Sequence, residues 1–325
     1  MAQGLHGQQT LLNGARMSEK RIGVVFPGQG SQYVGMGKDL YQNYGIVVEI
    51  FNTGSKICGF DIAQMCFEGS IEKLTKTEVC QVCVFAICYA AWKVFQQEFP
   101  VIPLFAAGHS LGEYNAFTAA GAFSPEDAFN LVSMRARFMK DATVQNPGGM
   151  IAVLGKTLTE IESIVNLLKD VYISNINAPG QIVLGGTKQG IEALSKWCDE
   201  NHVKYVALNV SGAFHTPLME PAAQLLGKEI DNMKISECKF PVYANVNGEP
   251  VIEPDKIRDA LKKQIVSSVQ WVKTIESVKD SVDCIVELGP KRVLSGLIKK
   301  IVPDMMVMNI EDMSSLKKTI EILKL

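Results

Sequence analysis

Phe105-Ala-Ala-Gly-His-Ser-Leu-Gly-Glu-Tyr-Asn-Ala-Phe117 is the stretch on which the reading of this chain turns, because Gly108-His109-Ser110-Leu111-Gly112 within it fits the pattern Gly-x-Ser-x-Gly. Residues 101–107 in front of it are short and apolar, as a buried strand is, and residues 113–121 behind it are rich in helix formers. A strand, a Ser between two glycines and a helix make a nucleophile elbow. The turn is sharp enough to hold the Ser at strained backbone angles, and glycines two residues to either side let neighbouring chain pack close. The hydroxyl then stands at a helix N-terminus, where backbone N–H groups stabilise an oxyanion. The plainer alternative is a strand-to-helix turn with a capping Ser.

At 325 residues the chain suits one large domain, or one with a smaller domain inserted. A hydrophobic fraction of 47% and a net charge of -2 describe a soluble globular protein with no electrostatic case for nucleic acid or an anionic membrane. No uninterrupted apolar run reaches the roughly 20 residues of a membrane span. Eight scattered cysteines, with no secretory signal before them, read as reduced core residues of a cytoplasmic protein. Cys80-Gln-Val-Cys83 has the spacing of a redox or zinc pair, but no second Cys or His pair accompanies it, and no metal is expected.

Residues 1–20 are polar and aperiodic, and are expected to be a disordered leader or tag in which His6 has no chemical role. Residues 21–26 form a strand that runs into Pro27-Gly-Gln-Gly-Ser-Gln32 before a helix at 37–44. A dinucleotide fingerprint fails there, since Tyr33 stands where the third Gly belongs, and a phosphate loop fails for want of its Gly and Ser/Thr around Lys38. The turn still offers backbone N–H groups to an anion.

Residues 71–99 carry apolar positions at helical spacing with Gln81 as the polar exception, and the helix ends before Pro100. A helix from Ser124-Pro-Glu-Asp127 carries Arg135 and Arg137 between apolar neighbours, where such arginines usually face solvent. After Asn146-Pro-Gly-Gly149 the order is strand 150–155, helix 157–169, strand 171–177, turn 178–180, strand 181–185, helix 188–201 and strand 203–210. That is the ferredoxin-like βαββαβ unit. The expected fold is therefore α/β: a large α/β-hydrolase-like domain with a parallel sheet (21–146 and 211–325) and an inserted ferredoxin-like subdomain (147–210). An insert beside an elbow creates a cleft for substrate.

The remaining chain reads as a helix after Met219, strand 240–246, helix 255–266, Val269-Gln-Trp271, strand 283–288 and helix 292–301. A Ser at an elbow needs a base, and His has the suitable pKa. His109 is adjacent, but its side chain should point to the other side of the turn. His215, in Ser211-Gly-Ala-Phe-His215 at the domain junction, is the better base, and His202 reads as a surface residue. Glu220, Glu229 and Asp231 follow His215, none in a setting that marks it as a third triad member, so that member stays open.

These pieces resemble the malonyl-CoA:acyl-carrier-protein transacylases of fatty acid synthesis and the related acyltransferases of polyketide synthases, over residues 21 to about 320. The marks are Phe26-Pro-Gly-Gln-Gly-Ser-Gln32, Gln81, Gly108-His-Ser-Leu-Gly-Glu-Tyr114, Met134-Arg-Ala-Arg-Phe-Met139, Asn177-Ala-Pro-Gly-Gln181, Gly212-Ala-Phe-His215, Val269-Gln-Trp271 and Glu287-Leu-Gly-Pro290. The resemblance implies Ser110 as nucleophile, His215 as base oriented by the main-chain carbonyl of Gln264, and an oxyanion hole from the N–H groups of Gln29 and Leu111. It implies Arg135 as the partner of the malonyl carboxylate, Gln81 and Phe214 beside the acyl group, and His109 and Asn177 in support. It further implies malonyl-CoA and a phosphopantetheinylated acyl carrier protein as substrates, no bound cofactor, and a monomer that binds neither nucleic acid nor membrane. Asn115 departs from the Ser common in housekeeping members, and a Glu-Tyr-Asn pattern also accompanies acyl hydrolases of polyketide pathways, which have no need of the Arg. A non-catalytic carrier-protein docking module is the third reading, against which Ser110, His215 and Gln29 all stand.

Overall fold

The computed structural model describes residues 20–325; residues 1–19, and with them His6 and nearly all of the expected leader, lie outside the described residues. Among the described residues ten strands occur in chain order: β1 (Ile22–Phe26), β2 (Phe105–Gly108), β3 (Gly148–Leu154), β4 (Val171–Ala178), β5 (Gln181–Thr187), β6 (Tyr205–Ala207), β7 (Val242–Tyr243), β8 (Pro250–Val251), β9 (Cys284–Leu288) and β10 (Met306–Ile310). They form a six-stranded sheet of order β10-β9-β1-β2-β7-β8 and a four-stranded sheet of order β4-β5-β3-β6.

In the larger sheet all pairings are parallel except that of β8 with β7. Parallel strands are covered on both faces, so they read as unbroken apolar runs. Ile22-Gly-Val-Val-Phe26 and Cys284-Ile-Val-Glu-Leu288 are buried at every position. Gly23 makes room for a neighbour, since a Cβ there would lie 2.1 Å from the Phe105 ring. Beyond the carboxyl ends of adjacent β1, β2 and β9 lie the Pro27–Gln32 turn, the Ser110 elbow and Gly289-Pro290. Open α/β sheets bind ligands at such ends.

The 22-residue helix Thr77–Glu98 is the core helix of this unit. Among the described residues it is the one helix long and apolar enough to cross a membrane, which counting uninterrupted apolar runs does not detect, and 83% of its apolar window is buried inside the protein. The expected single helix over 71–99 is two helices, Ile71–Leu74 and Thr77–Glu98, because Lys76 is extended (φ -60, ψ 131) between two threonines. Helices Gly45–Cys58, Ile62–Glu68 and Met313–Lys324, and strand β10, fill segments in which the sequence reading placed no element.

The second sheet is antiparallel, and the chain passes through β3, helix Leu158–Leu167, β4, β5, helix Lys188–Glu200 and β6. Its alternation has two destinations. Ile151 and Val153 point into a small core with Ile161, Leu184 and Leu194, whereas Met150 and Ala152 pack with the core of the larger sheet. Period-2 alternation thus presents one face of the insert to the elbow. The outgoing strand expected at 203–210 shortens to β6, and that expected at 240–246 shortens to β7.

Candidate active site

The elbow is built by close backbone packing. Ser110 has φ 53 and ψ -107, a conformation L-residues rarely adopt. A Cβ on Gly108 would lie 1.9 Å from the Gly112 carbonyl carbon, and one on Gly112 would lie 2.0 Å from the Phe26 carbonyl oxygen. Gly28 is pressed against the same turn, where a Cβ would meet the His109 carbonyl oxygen at 2.5 Å. The β1 turn is thereby brought beside the start of helix Leu111–Ala119, so Gln29 and Leu111 line one cavity with Ser110.

His215 also has a positive φ, 60. Its Nδ1–H donates to the carbonyl of Gln264 at 2.9 Å, which leaves Nε2 as acceptor for the Ser110 hydroxyl at 2.7 Å. Burial, and then the nearby Arg135 charge, hold the His215 pKa down to about 3, so the ring is neutral at physiological pH and Nε2 keeps its lone pair for the Ser110 hydroxyl. Of the acidic residues that follow His215, Glu220 accepts a hydrogen bond from Gln224 and Asp231 pairs with Lys262. A carbonyl thus occupies the place at Nδ1 where a triad carboxylate would stand.

Arg135, on helix Pro125–Gln145, is 1% exposed. Its Nη1 donates to Gln81 Oε1 at 2.6 Å, and its Nη2 donates to Gln264 Oε1 at 3.0 Å and to Ser110 Oγ at 3.1 Å. Its guanidinium lies over the Tyr114 ring, 5.1 Å from the centroid. Its buried Nε–H makes no hydrogen bond to the rest of the chain. Arg137 faces outward, as arginines on such helices ordinarily do.

His109 turns away from the Ser110 hydroxyl. Its Nε2 donates to Asn177 Oδ1 at 2.8 Å and its ring meets Trp271 edge-on, which ties the elbow to β4 of the insert. Phe214, 7% exposed, lines the same cavity as Ser110, together with Met150 and Val183 of the insert. The cavity of ≈ 210 Å³ therefore lies between the two sheets. Gln264 alone among the expected site residues lies behind the wall, fully buried. Asn115 is also behind it, donating to the Phe85 carbonyl at 2.9 Å, so the departure at this position does not touch the cavity. Cys80 and Cys83 are packed in the core helix with their thiol pKa values pushed up, chiefly by burial for Cys80 and by a bond from Cys66 for Cys83. Among the described residues no group of three or more His, Cys, Asp or Glu stands together to hold a metal ion.

Two residues escaped the sequence reading. Asn245 accepts the Ser110 N–H on Oδ1 at 2.7 Å and donates from Nδ2 to the Gly108 carbonyl at 2.6 Å, bracing the elbow from both ends. Glu113 accepts the Asn245 N–H at 2.7 Å and a bond from Gln264 Nε2. The available signal was Glu113 itself, a carboxyl group one turn beyond Ser110 inside an apolar helix.

Residues 24–317 match the family model described as acyl transferase domain. The chain belongs to the acyl transferase domain family. It is 36% identical over 310 residues to the malonyl CoA-acyl carrier protein transacylase of Bacillus subtilis, covering 94% of this chain and 98% of that protein. Among solved structures, the malonyl CoA-acyl carrier protein transacylase of Coxiella burnetii superposes with a TM-score of 0.91 at 32% identity, covering 95% of this chain and 99% of that one. A malonyl-transacylase solved in complex with its type II polyketide synthase acyl-carrier protein superposes with a TM-score of 0.88 at 33% identity, covering 93% and 99%. The α/β fold and parallel sheet of this acyl transferase domain are those of these relatives.

Proposed function

We propose that this acyl transferase domain moves a malonyl group from malonyl-CoA to the phosphopantetheine thiol of an acyl carrier protein, in fatty acid or polyketide synthesis, through a malonyl ester on Ser110. The observation that carries the reading is the fully buried Arg135 beside the Ser110 hydroxyl, its Nε–H left without a protein partner. A planar guanidinium in a closed pocket suits a carboxylate taken in bidentate fashion, whereas a neutral acyl chain would leave that charge uncompensated. The same consideration disfavours a hydrolase of neutral acyl groups.

In the first half-reaction Nε2 of His215 accepts the Ser110 proton as Oγ attacks the thioester carbon. The oxyanion is held by the N–H groups of Gln29 and Leu111, the latter at the first position of its helix, where it has no intrahelical acceptor. As the C–S bond breaks, His215 protonates the departing CoA thiolate. In the second half the carrier's thiol gives its proton to His215 and its sulfur takes the acyl carbon; as the C–O bond to Ser110 breaks, His215 returns that proton to Oγ. Phe214 bounds the space beside the α-carbon and favours malonyl over bulkier acyl groups. Eight unbridged cysteines support a cytoplasmic setting.

The test is covalent labelling with radiolabelled malonyl-CoA and, separately, acetyl-CoA. Malonyl label is expected on Ser110 and absent from Ser110→Ala. Preferential acetyl labelling, or a base-labile malonyl ester in the variant, would overturn the assignment.

A further inference from the structure

Gln264 touches His215, the Ser110 elbow and Arg135 together. Its carbonyl accepts from His215 Nδ1, its Nε2 donates to the Ser110 carbonyl at 2.8 Å and to Glu113 Oε2, and its Oε1 accepts from Arg135 Nη2. An amide has one accepting and one donating end, a guanidinium only donates, and an ionised carboxylate, the form Glu113 takes above about pH 7, only accepts. With Glu113 on one side and Arg135 on the other, the side chain fits in one orientation. The reversed amide would set NH2 against guanidinium and oxygen against carboxylate. Glu113, Gln264 and Arg135 are all essentially buried, so water cannot relieve a mismatch.

We propose that Glu113 is a positioning residue for acyl-group selection: it fixes the polarity of the Gln264 amide, and that amide aims the Arg135 guanidinium at the malonyl carboxylate. The second Glu113 oxygen, on the Asn245 N–H, anchors the relay to the elbow, whose Ser110 N–H and Gly108 carbonyl the Asn245 side chain holds. From the other side Gln81 Oε1 holds Nη1, so the guanidinium is gripped at two nitrogens, and one grip takes its sense from Glu113. The inference rests on the malonyl reading of the site. A Glu113 that only stabilised the elbow would act on every acyl group alike.

Glu113→Gln keeps the shape and one acceptor for Asn245 but turns an NH2 group toward Gln264 Nε2. Only the Ser110 carbonyl then holds the Gln264 amide in its wild-type sense, against the facing NH2, and rotation of that amide brings its own NH2 to Arg135. The experiment measures kcat and KM for malonyl-CoA and acetyl-CoA at pH 8, where Glu113 is ionised, in the full chain, for wild type, Glu113→Gln, Gln264→Met and the double variant. Glu113→Gln is expected to lower the malonyl-to-acetyl ratio of specificity constants by about tenfold, the scale of one lost hydrogen bond to a charged group, with KM for malonyl-CoA carrying most of it. The double variant is expected to be no less selective than Gln264→Met alone, since both act through one side chain. An unchanged ratio, whatever the absolute loss, or effects that multiply in the double variant, overturns the inference. Should Glu113→Gln not fold, Gln264→Met must lower the ratio by itself, and an unchanged ratio there overturns it equally. A wild type that does not prefer malonyl-CoA counts against the malonyl reading instead. The crystal structure of Glu113→Gln then decides the relay, which is refuted if Arg135 stays hydrogen-bonded to residue 264.

Discussion

Replacing Arg135 with Ala tests the chemistry of the site most directly, because the structure sets different consequences for two substrates. In wild type the guanidinium is 1% exposed and held by Gln81 and Gln264, with the buried Nε–H spare. A malonyl carboxylate that pairs with it in this closed pocket forms a charge-assisted bidentate contact, whose loss costs about 2 to 5 kcal/mol. At about 1.4 kcal/mol per tenfold, malonyl transfer by Arg135→Ala is expected to fall between about 30-fold and several thousand-fold. Acetyl-CoA has no carboxylate, and the wild-type charge is uncompensated for it, so acetyl transfer should hold or rise. The variant also strands Gln81 Oε1 and Gln264 Oε1, which costs stability of about 1 to 3 kcal/mol for each group left unsatisfied and lowers the melting temperature without bearing on selectivity. Since the Arg135 charge is the second cause, after burial, of the low His215 pKa, the base should titrate at higher pH in the variant. The assay is specificity constants for both thioesters across pH 5 to 8. Equal losses for malonyl and acetyl would show that Arg135 is structural, and the argument for a carboxylate substrate would fail.

His215→Ala should slow both acylation and deacylation by about 10² to 10⁴, the usual contribution of a positioned general base. Rapid-quench measurement of each half-reaction checks this, and a crippling His109→Ala beside a near-silent His215→Ala would reverse the assignment. The depressed His215 pKa has a stability consequence of definite sign: unfolded His binds a proton below about 6.5, and folded His215 binds one only near 3. Its contribution is therefore present above pH 6.5 and lost as pH falls toward 3, so from pH 7 to 5 the wild-type melting temperature should drop more than that of His215→Gln; parallel curves would count against a neutral buried ring. Glu113 acts in the opposite sense. Burial pushes its pKa up to about 7, so any stability it lends the folded state in its protonated form is lost as pH rises from 4.5 through 7, and Glu113→Gln should flatten that part of the curve.

What was legible in the sequence is what short-range sterics dictate. Gly108, Ser110 and Gly112 announce the elbow because only glycine tolerates backbone at the 1.9 and 2.0 Å approaches found there, and no distant residue is needed to read that. Residues 148–187 announce a two-faced sheet because alternation has period 2, although the alternation does not say that Met150 and Val183 face the cavity while Ile151 faces the insert's own core. The helix over 71–99 was over-read because apolar spacing carries across Thr75-Lys76-Thr77, where the backbone turns extended. Of the helices at 45–68, which the apolar spacing does not announce, Ile62–Glu68 is only 7 residues long and Gly45–Cys58 carries Gly54 within its buried face.

The partnerships at the candidate site were decided by tertiary structure. His109 adjoins Ser110 in sequence yet reaches Asn177, while His215, 105 residues away, reaches the Ser110 hydroxyl. The group that orients His215 is a main-chain carbonyl, which every residue possesses, so no side-chain pattern can mark it. The resemblance, and not the residue types, pointed to Gln264. Asn245 and Glu113 have the same character: each meets the elbow through backbone atoms or through another amide, across 132 residues in the case of their mutual bond. Sequence pattern marks groups whose chemistry is rare, such as a Ser between glycines or an Arg among apolar neighbours. Packing alone determines which ordinary donors and acceptors stand opposite them, because a buried polar atom must find its partner in three dimensions.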